Sequence, residues 1–239
     1  MARKGYGIYC PTSKACEVLE PRWTIQILCE LWDGNTRFNE IRRALPGLSP
    51  PLLSKRLKGL EAEGLVERVE NKAQGTVDYF RTEKAIELEP IFDGMAKWAQ
   101  RHVDAEIALG DRDAGMLMWK LRRRITPEKM LEGRNVVRFH FPDARGKHDT
   151  YWIVAERGAG VDLCIHDPKH DPDLFVECGV GVLTGIYMGR RSLSRDIETG
   201  DFFMSGDTRL MRNFSKWLPH RVYADVDGIA PARQPETVV

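Results

Sequence analysis

The chain has 239 residues, a formal net charge of +1, 42% hydrophobic residues and 30% charged residues, which is typical of globular protein and long enough for two domains. A charge balance so near neutrality excludes a uniformly basic chain, so any DNA-binding field must be confined to one surface. No apolar run approaches the length of a membrane span and the start lacks a signal-peptide core, so we expect a cytoplasmic protein that does not enter a membrane.

Two helical segments open the chain. The first is predicted from Ser13 to Leu31, with a break near Pro21 because proline disrupts a helix interior. The second ends at Pro46-Gly47, since proline lacks a backbone donor and glycine takes a positive φ at little cost. A tight turn and a further helix are therefore expected next.

The helix after this turn is the most informative part of the sequence. Ser49 stands where an N-cap is expected, Pro50 occupies the first helical position, and Gly64 closes the helix. One face is apolar and predicts burial: it carries Leu53, Leu57 and Leu60. The start of the helix and its other side offer mainly hydroxyls and cations, which contact phosphates and base edges: Ser49, Pro51, Ser54, Lys55, Lys58 and, on the flank, Arg56. This pattern predicts a helix-turn-helix whose second helix recognises DNA.

A β-hairpin is predicted directly after this helix. Its strands are Leu65–Glu70 and Thr76–Arg81, and residues 71–75 form the turn. Such a hairpin is typical of a wing, and three of its side chains could reach the phosphate backbone or the minor groove: Lys72, Gln74 and Arg81. A charged helix face alone would indicate only a solvated surface. The turn before it and the hairpin after it favour DNA binding.

A set of short motifs runs through this part of the chain. In order they are Cys10-Pro11, Arg22-Trp23-Thr24 with Ile27-Leu28, Leu31-Trp32-Asp33-Gly34 with Arg37-Phe38, Leu48-Ser49, Leu57, Leu60-Glu61 and Gly64-Leu65-Val66. Together they resemble the HxlR family of bacterial winged-helix transcription regulators, which is related to the MarR group. The resemblance implies a winged-helix fold and a role in transcription.

The resemblance also implies dimerisation through terminal helices. An apolar stripe at helical spacing follows the hairpin and suits this role: Leu88, Ile91, Phe92, Met95, Trp98 and Ala99. Packing of the stripe within the same chain is the other interpretation, and the two do not exclude each other. A two-fold homodimer would recognise double-stranded DNA at an inverted repeat whose half-sites lie roughly 34–36 Å apart.

The five cysteines include no CxxC pair, which argues against a disulfide framework and fits a reducing compartment. Cys10 lies close in sequence to Arg3, Lys4 and Lys14, whose charges would favour its thiolate. Some proteins of the HxlR family sense oxidants through a cysteine at this place, so the resemblance allows the same role here. A small packing residue beside Tyr9 is the simpler interpretation.

The sequence pattern of the second half of the chain predicts a different kind of domain. The polar segment Gly110–Gly115 marks the boundary, which gives domains at residues 1–110 and 111–239. A helix is expected over Met116–Ile125. Strands are predicted at residues 136–141, 150–156, 161–165, 174–177 and 201–205, and helices at 181–188, 192–198 and 208–217. This order favours an α+β domain, an antiparallel-type sheet covered by helices on one face.

Several patterns in this half recur in a known module. They are Val161–Ile165, Leu183–Met188 before Gly189-Arg190-Arg191-Ser192, Ile197–Asp201, and Gly206-Asp207 before the closing helix. Over residues 133–217 they resemble the sterol carrier protein type 2 fold, a lipid-binding α+β module. A sheet covered by helices can hold a hydrophobic ligand between its layers, and candidate lining residues are Met116, Trp119, Phe139, Trp152, Phe175, Leu183, Ile186, Tyr187, Phe202, Met211, Phe214 and Trp217. Plain core packing is the alternative.

Neither a metal site nor a catalytic site is predicted. The run His166–Asp173 holds two histidines and three aspartates, but its prolines prevent a helix that would align the imidazoles, and no further zinc-ligand spacing follows. No nucleophile elbow, phosphate loop or dinucleotide fingerprint occurs, so we expect no cofactor and no enzyme. The sequence predicts a homodimeric DNA-binding regulator. The alternatives are a hydrophobic-ligand carrier that dimerises through its winged domain, and a redox switch centred on Cys10.

Overall fold

The computed structural model describes residues 6–7, 9–73, 75–103 and 113–221. The chain forms two compact units that meet in sequence between Ile91 and Phe92. The boundary predicted near residue 110 lies outside the described residues. No helix among the described ranges is both long and apolar enough to cross a membrane.

The first unit consists of short helices followed by a hairpin. The helices are α1 (Pro11–Leu19), α2 (Thr24–Trp32), α3 (Phe38–Ala44) and α4 (Pro50–Ala62). The hairpin strands are β1 (Val66–Asn71) and β2 (Thr76–Arg81), and α5 (Glu83–Ile86) and α6 (Glu89–His102) follow. The division between the units falls inside α6, so this helix contributes residues to both.

The predicted first helix is two helices, because the chain turns between Pro21 and Trp23. Trp23 has a φ of 81° and forms the N-cap of α2. A Cβ atom at Gly47 would lie only 3.1 Å from the Trp23 indole, so glycine lets this ring approach the backbone of the turn between α3 and α4. Gly47 therefore serves the packing of the helix-turn-helix as well as its turn.

The hairpin is fastened to the loop that precedes α3. Its antiparallel register runs from Val66 opposite Arg81 to Asn71 opposite Thr76. The Tyr79 amide donates to the Thr36 carbonyl at 2.8 Å, and the Thr36 hydroxyl donates to the Asp78 carboxylate at 2.8 Å. These bonds fix the base of the hairpin beside the helix-turn-helix.

The second unit has a five-stranded sheet in the order β5-β4-β3-β6-β7. The strands are β3 (Arg134–His140), β4 (Thr150–Glu156), β5 (Gly160–Cys164), β6 (Leu174–Cys178) and β7 (Phe202–Gly206). The helices are α7 (Ala114–Leu121), α8 (Val180–Tyr187), α9 (Leu193–Thr199), α10 (Thr208–Arg212) and α11 (Phe214–Trp217), with a 3-10 turn at Pro127–Lys129. The class is α+β as predicted, but the sheet is mixed, because β3 and β6 pair in parallel. The expected closing helix over residues 208–217 is two helices that meet at Asn213.

One face of this sheet carries the core of the unit. Alternate residues of β4 and β6 are buried, as period-two strands with one covered face require. The helices supply the other layer: Phe214 lies edge-on to Phe202 at 5.4 Å and to Trp217 at 4.8 Å between ring centroids. The buried Trp217 indole donates to the Leu210 carbonyl at 2.9 Å, so the largest core side chain is also satisfied in its hydrogen bonding.

Candidate nucleic-acid interface

Helix α4 has the two-sided character that a recognition helix needs. Leu53, Leu57 and Leu60 are at most 3% exposed and anchor it to the unit. Most of the polar candidates are exposed: Ser49, Pro51, Lys55 and Lys58 are open, while Ser54 is half-buried. The stripe therefore orients the helix so that two lysines and a hydroxyl point into solvent.

Ser49 begins α4 without the side-chain bond expected of an N-cap. Its hydroxyl makes no capping bond, and prolines occupy the first two helical positions. The Ser49 carbonyl accepts from the Leu53 amide at 2.9 Å, so the helix is started by its backbone. The exposed hydroxyl is then not used for capping and suits a phosphate contact.

Two of the predicted contact residues have structural partners inside the first unit. Arg56 donates from Nε to the Arg22 carbonyl at 2.9 Å, which ties α4 to the loop before α2. Arg81 lies 3.7 Å from the Glu89 carboxylate, with its guanidinium over the Trp32 ring at 5.7 Å. Both arginines therefore position elements of the fold.

The tip of the hairpin is the exposed part of the predicted wing. Lys72 is exposed in the turn, and Gln74 lies outside the described residues. Arg68 on β1 is also exposed but is paired with Glu70 two residues away. Lys72 is thus the wing cation that the structure leaves best placed for a phosphate.

Further cations, which the sequence pattern did not single out, lie on or beside α3, the first helix of the helix-turn-helix. Arg42 and Arg43 are exposed in the last turn of α3, and Arg37 precedes it with its side chain 53% exposed and 3.6 Å from Asp78. Their position in the same helix-turn-helix could have identified these arginines from the sequence. A first helix commonly crosses the DNA backbone, where such cations contact phosphates.

Cys10 lies exposed at the N-cap of α1. The pKa of its thiol is lowered, chiefly because the backbone N–H groups of Ser13 and Thr12 stabilise the thiolate. From the sequence, nearby cations were the expected cause of such a shift. Lys14 instead pairs with Glu17 at 2.9 Å, and residues 3 and 4 lie outside the described part.

The apolar stripe of α6 is largely uncovered in the single chain. Ile91, Met95 and Trp98 are 55%, 51% and 59% exposed, whereas Phe92 is buried. Large apolar side chains grouped on one exposed helix face are a feature of protein–protein interaction surfaces.

The structure places most of the predicted ligand-lining residues in one packed core and the others outside it. Phe139, Leu183, Ile186, Tyr187, Phe202, Phe214 and Trp217 belong to the packed core of the second unit, beside the half-buried Met211. Trp152 and Phe175 lie on the opposite face of the sheet, because both pair in register with Arg138, whereas Phe139 pairs with Tyr151 and Val176. Met116 and Trp119 are half-buried on α7, and the Arg122 guanidinium stacks on Trp119 at 3.6 Å.

The first unit is thus a winged helix-turn-helix, built from α2, α3, α4 and the β1-β2 hairpin. The model of the HxlR-like helix-turn-helix family matches residues 18–107. YvaP of Bacillus subtilis, an uncharacterized HTH-type transcriptional regulator, is 42% identical over 97 residues, which are 40% of this chain and 90% of YvaP. The chain belongs to the HxlR family of transcriptional regulators.

Two further comparisons concern YodB, an HTH-type transcriptional regulator of B. subtilis. Its sequence is 38% identical over 94 residues, covering 38% of this chain and 84% of YodB. The structure of reduced YodB shares 36% identity, covers 40% of this chain and 96% of that chain, and has a TM-score of 0.37. The family assignment rests on the sequence matches and concerns the winged unit.

Proposed function

We propose that the protein is a homodimeric regulator that binds double-stranded DNA at an inverted-repeat operator. The observation that carries the proposal is the exposed polar side of α4, opposite a leucine stripe that is almost wholly buried. Lys55 and Lys58, one turn apart, would contact DNA in the major groove.

The surrounding cations extend this surface. Arg42 and Arg43 on α3 would contact the phosphate backbone beside the groove, and Lys72 would do so from the wing. Because the whole chain carries a net charge of only +1, the affinity depends on this local cluster.

Dimerisation through α6 would supply the two-fold symmetry of the operator. The exposed stripe of Ile91, Met95 and Trp98 is apolar and regular enough to pack against its copy in a partner subunit. Two recognition helices related by this axis would enter successive major grooves on one side of the duplex.

The test is a double substitution, Lys55→Ala with Lys58→Ala, measured by fluorescence anisotropy on an operator selected from random DNA by the wild-type protein. Loss of two phosphate contacts should weaken binding and flatten the slope of log K against log salt by about 1.8. The matched control is Lys129→Ala with Lys216→Ala, two exposed lysines of the second unit that give the same charge change. A control that weakens binding as much as the α4 pair, or an α4 pair with unchanged affinity, would overturn the placement of the recognition helix.

A redox switch at Cys10 is the second candidate, favoured by the exposed thiol at the N-terminus of α1 and its lowered pKa. The more acidic thiol is present as thiolate over a wider pH range, and the thiolate is the form that oxidants attack. Treatment with diamide should release the operator from the wild-type protein but not from Cys10→Ser. Release that persists in Cys10→Ser, with Cys16→Ser as the matched control, would exclude Cys10 as the sensor.

Modulation by a hydrophobic ligand in the second unit stays a prediction. Most residues named for such a cavity are packed against one another in the core. The face of the sheet that carries Trp152 and Phe175, opposite the core, offers a different candidate ligand site.

A further inference from the structure

The open face of the sheet in the second unit carries an ordered set of polar and aromatic side chains. The register places Trp152, Arg138, Phe175 and Ser205 in one row across β4, β3, β6 and β7. The next row holds Thr150, His140, Glu177 and Phe203. Chemically different side chains are therefore fixed on rigid strands at neighbouring positions.

Residues of these rows, with Val176, line an open pocket of about 230 Å³: Arg138, His140, Phe175, Val176, Glu177, Phe203 and Ser205. Phe175 and Phe203 are 38% and 58% exposed, so two aromatic rings border the pocket without being covered by the chain. Pockets for drug-sized ligands measure roughly 300–1,000 Å³. The volume fits a ligand with a single ring.

Arg138 supplies the cationic side of the pocket. Its Nε atom is buried and has no hydrogen-bond partner among the residues that the structure describes. Its guanidinium lies 5.7 Å from the centroid of the Phe175 ring. Nε itself is closed to solvent, but Arg138 as a residue is only half-buried and lines the pocket. A carboxylate is the acceptor that best matches the geometry of arginine.

The next row offers acceptors. The Thr150 hydroxyl donates to the Asp149 carboxylate at 2.8 Å, so only its lone pairs face His140, whose Nδ1 lies 3.2 Å away. From this network we assign a hydrogen to Nδ1, and in the tautomer that carries its only ring hydrogen there, Nε2 is an acceptor. Glu177 adjoins His140 in register and is also an acceptor.

We propose that this pocket binds a small aromatic carboxylate that bears a hydroxyl or amino group on its ring. The carboxylate would pair with Arg138, the ring would contact Phe175 and Phe203, and the ring substituent would donate to His140 or Glu177. The Glu177 carboxylate repels an anion in its own row, which fixes the direction of the ligand. The site goes beyond the proposed DNA binding and lies on the opposite sheet face from the core that holds most of the residues predicted for a cavity.

The test is isothermal titration of the full chain with 4-hydroxybenzoate, 3-hydroxybenzoate and 4-aminobenzoate, with 4-hydroxybenzamide as a neutral probe. At least one of the carboxylates should bind saturably with a Kd below about 5 mM, and the amide should bind about tenfold more weakly. Arg138→Met should weaken carboxylate binding about tenfold. Phe203→Ser, at an exposed position that tolerates change, should weaken it about threefold.

The matched control is Arg134→Met. Arg134 is on the same strand and, by its spacing, on the same face, but it does not line the pocket and pairs with Glu156 near the end of the strand. Binding should be unchanged in this variant, with thermal unfolding used to verify that every variant is folded. The proposal is overturned if none of the three carboxylates binds, if the amide binds as well as its acid, or if Arg134→Met and Arg138→Met weaken binding equally. No DNA is present, so failure here leaves the proposed DNA binding standing.

Discussion

Substitution of Gln100 by alanine should destabilise the second unit well beyond what loss of one polar side chain on a helix costs. Gln100 lies in the last turns of α6 and is only 5% exposed. Its amide nitrogen donates to the Met188 carbonyl at 2.6 Å, and its amide oxygen accepts from Arg190 Nε at 2.7 Å. Arg190 also donates to the carbonyls of Ala99 and Val103 at 3.4 and 3.3 Å, near the end of α6.

The size of the effect follows from the two bonds. A neutral hydrogen bond contributes about 0.5–1.5 kcal/mol and one to a charged group about 1.5–3 kcal/mol, so Gln100→Ala should lower the free energy of unfolding by about 2–4.5 kcal/mol. Arg190 is half-buried, so water can replace part of what it loses and the lower half of this range is expected. Arg190→Ala should cost a similar amount, because the same network is broken.

The measurement is urea unfolding of the full chain, followed by circular dichroism and analysed with a separate transition for each unit. Lys97→Ala is the matched control, because Lys97 is exposed on the same helix and should change the free energy by less than about 0.5 kcal/mol. The double variant at Gln100 and Arg190 should be less destabilised than the sum of the single variants by at least about 1 kcal/mol. Additive effects, or a Gln100→Ala variant as stable as Lys97→Ala, would refute the reasoning.

Three further outcomes are expected. Leu57→Ala, at a wholly buried position of α4, should lower the free energy of unfolding by about 2–5 kcal/mol in a urea titration. Gly206→Ala should destabilise far more than Gly158→Ala in thermal melts, because a Cβ at Gly206 collides with the Asp173 carbonyl whereas Gly158 faces open space. Burial raises the pKa of Cys178 to about 12, so in the native protein it should resist iodoacetamide at pH 8 while Cys10 reacts, as followed by mass spectrometry. The Cys178 thiol keeps its proton in the folded state, so its contribution to stability is complete below pH 9 and declines as pH rises towards 12.

Helix α4 was predictable because its signals are local. Ser49, the prolines after it and the leucine stripe all lie within one segment, and they agree about where the helix begins and which side is buried. Arg56 was predicted to contact DNA, but its guanidinium donates to the Arg22 carbonyl, which is distant in sequence. The residue type of Arg56 and its position on the helix could not distinguish a DNA contact from this internal bond.

The second unit shows where the sequence was insufficient. The alternation of side chains along β3 and β6 implies that each strand has one residue set on either face of the sheet. Phe175 and Phe139 can be assigned to opposite faces only from the parallel register of these two strands. The sequence does not give this register, because the strands are far apart in the chain. Similarly, the left-handed backbone of Trp23 follows from packing against Gly47, and no local propensity of tryptophan predicts it.

Helix α6 connects the second unit with the dimer interface that we propose. Most of this helix belongs to the second unit, and the Gln100–Arg190 network fastens its last turns there. The same helix presents the apolar stripe that we propose pairs with a partner subunit. A ligand of the sheet face can change DNA affinity only by binding the DNA-competent dimer and its alternative unequally, and a tenfold change requires about 1.4 kcal/mol of such difference. Because the pocket and most of α6 share one compact unit, we propose that a change in the packing of that unit supplies this difference.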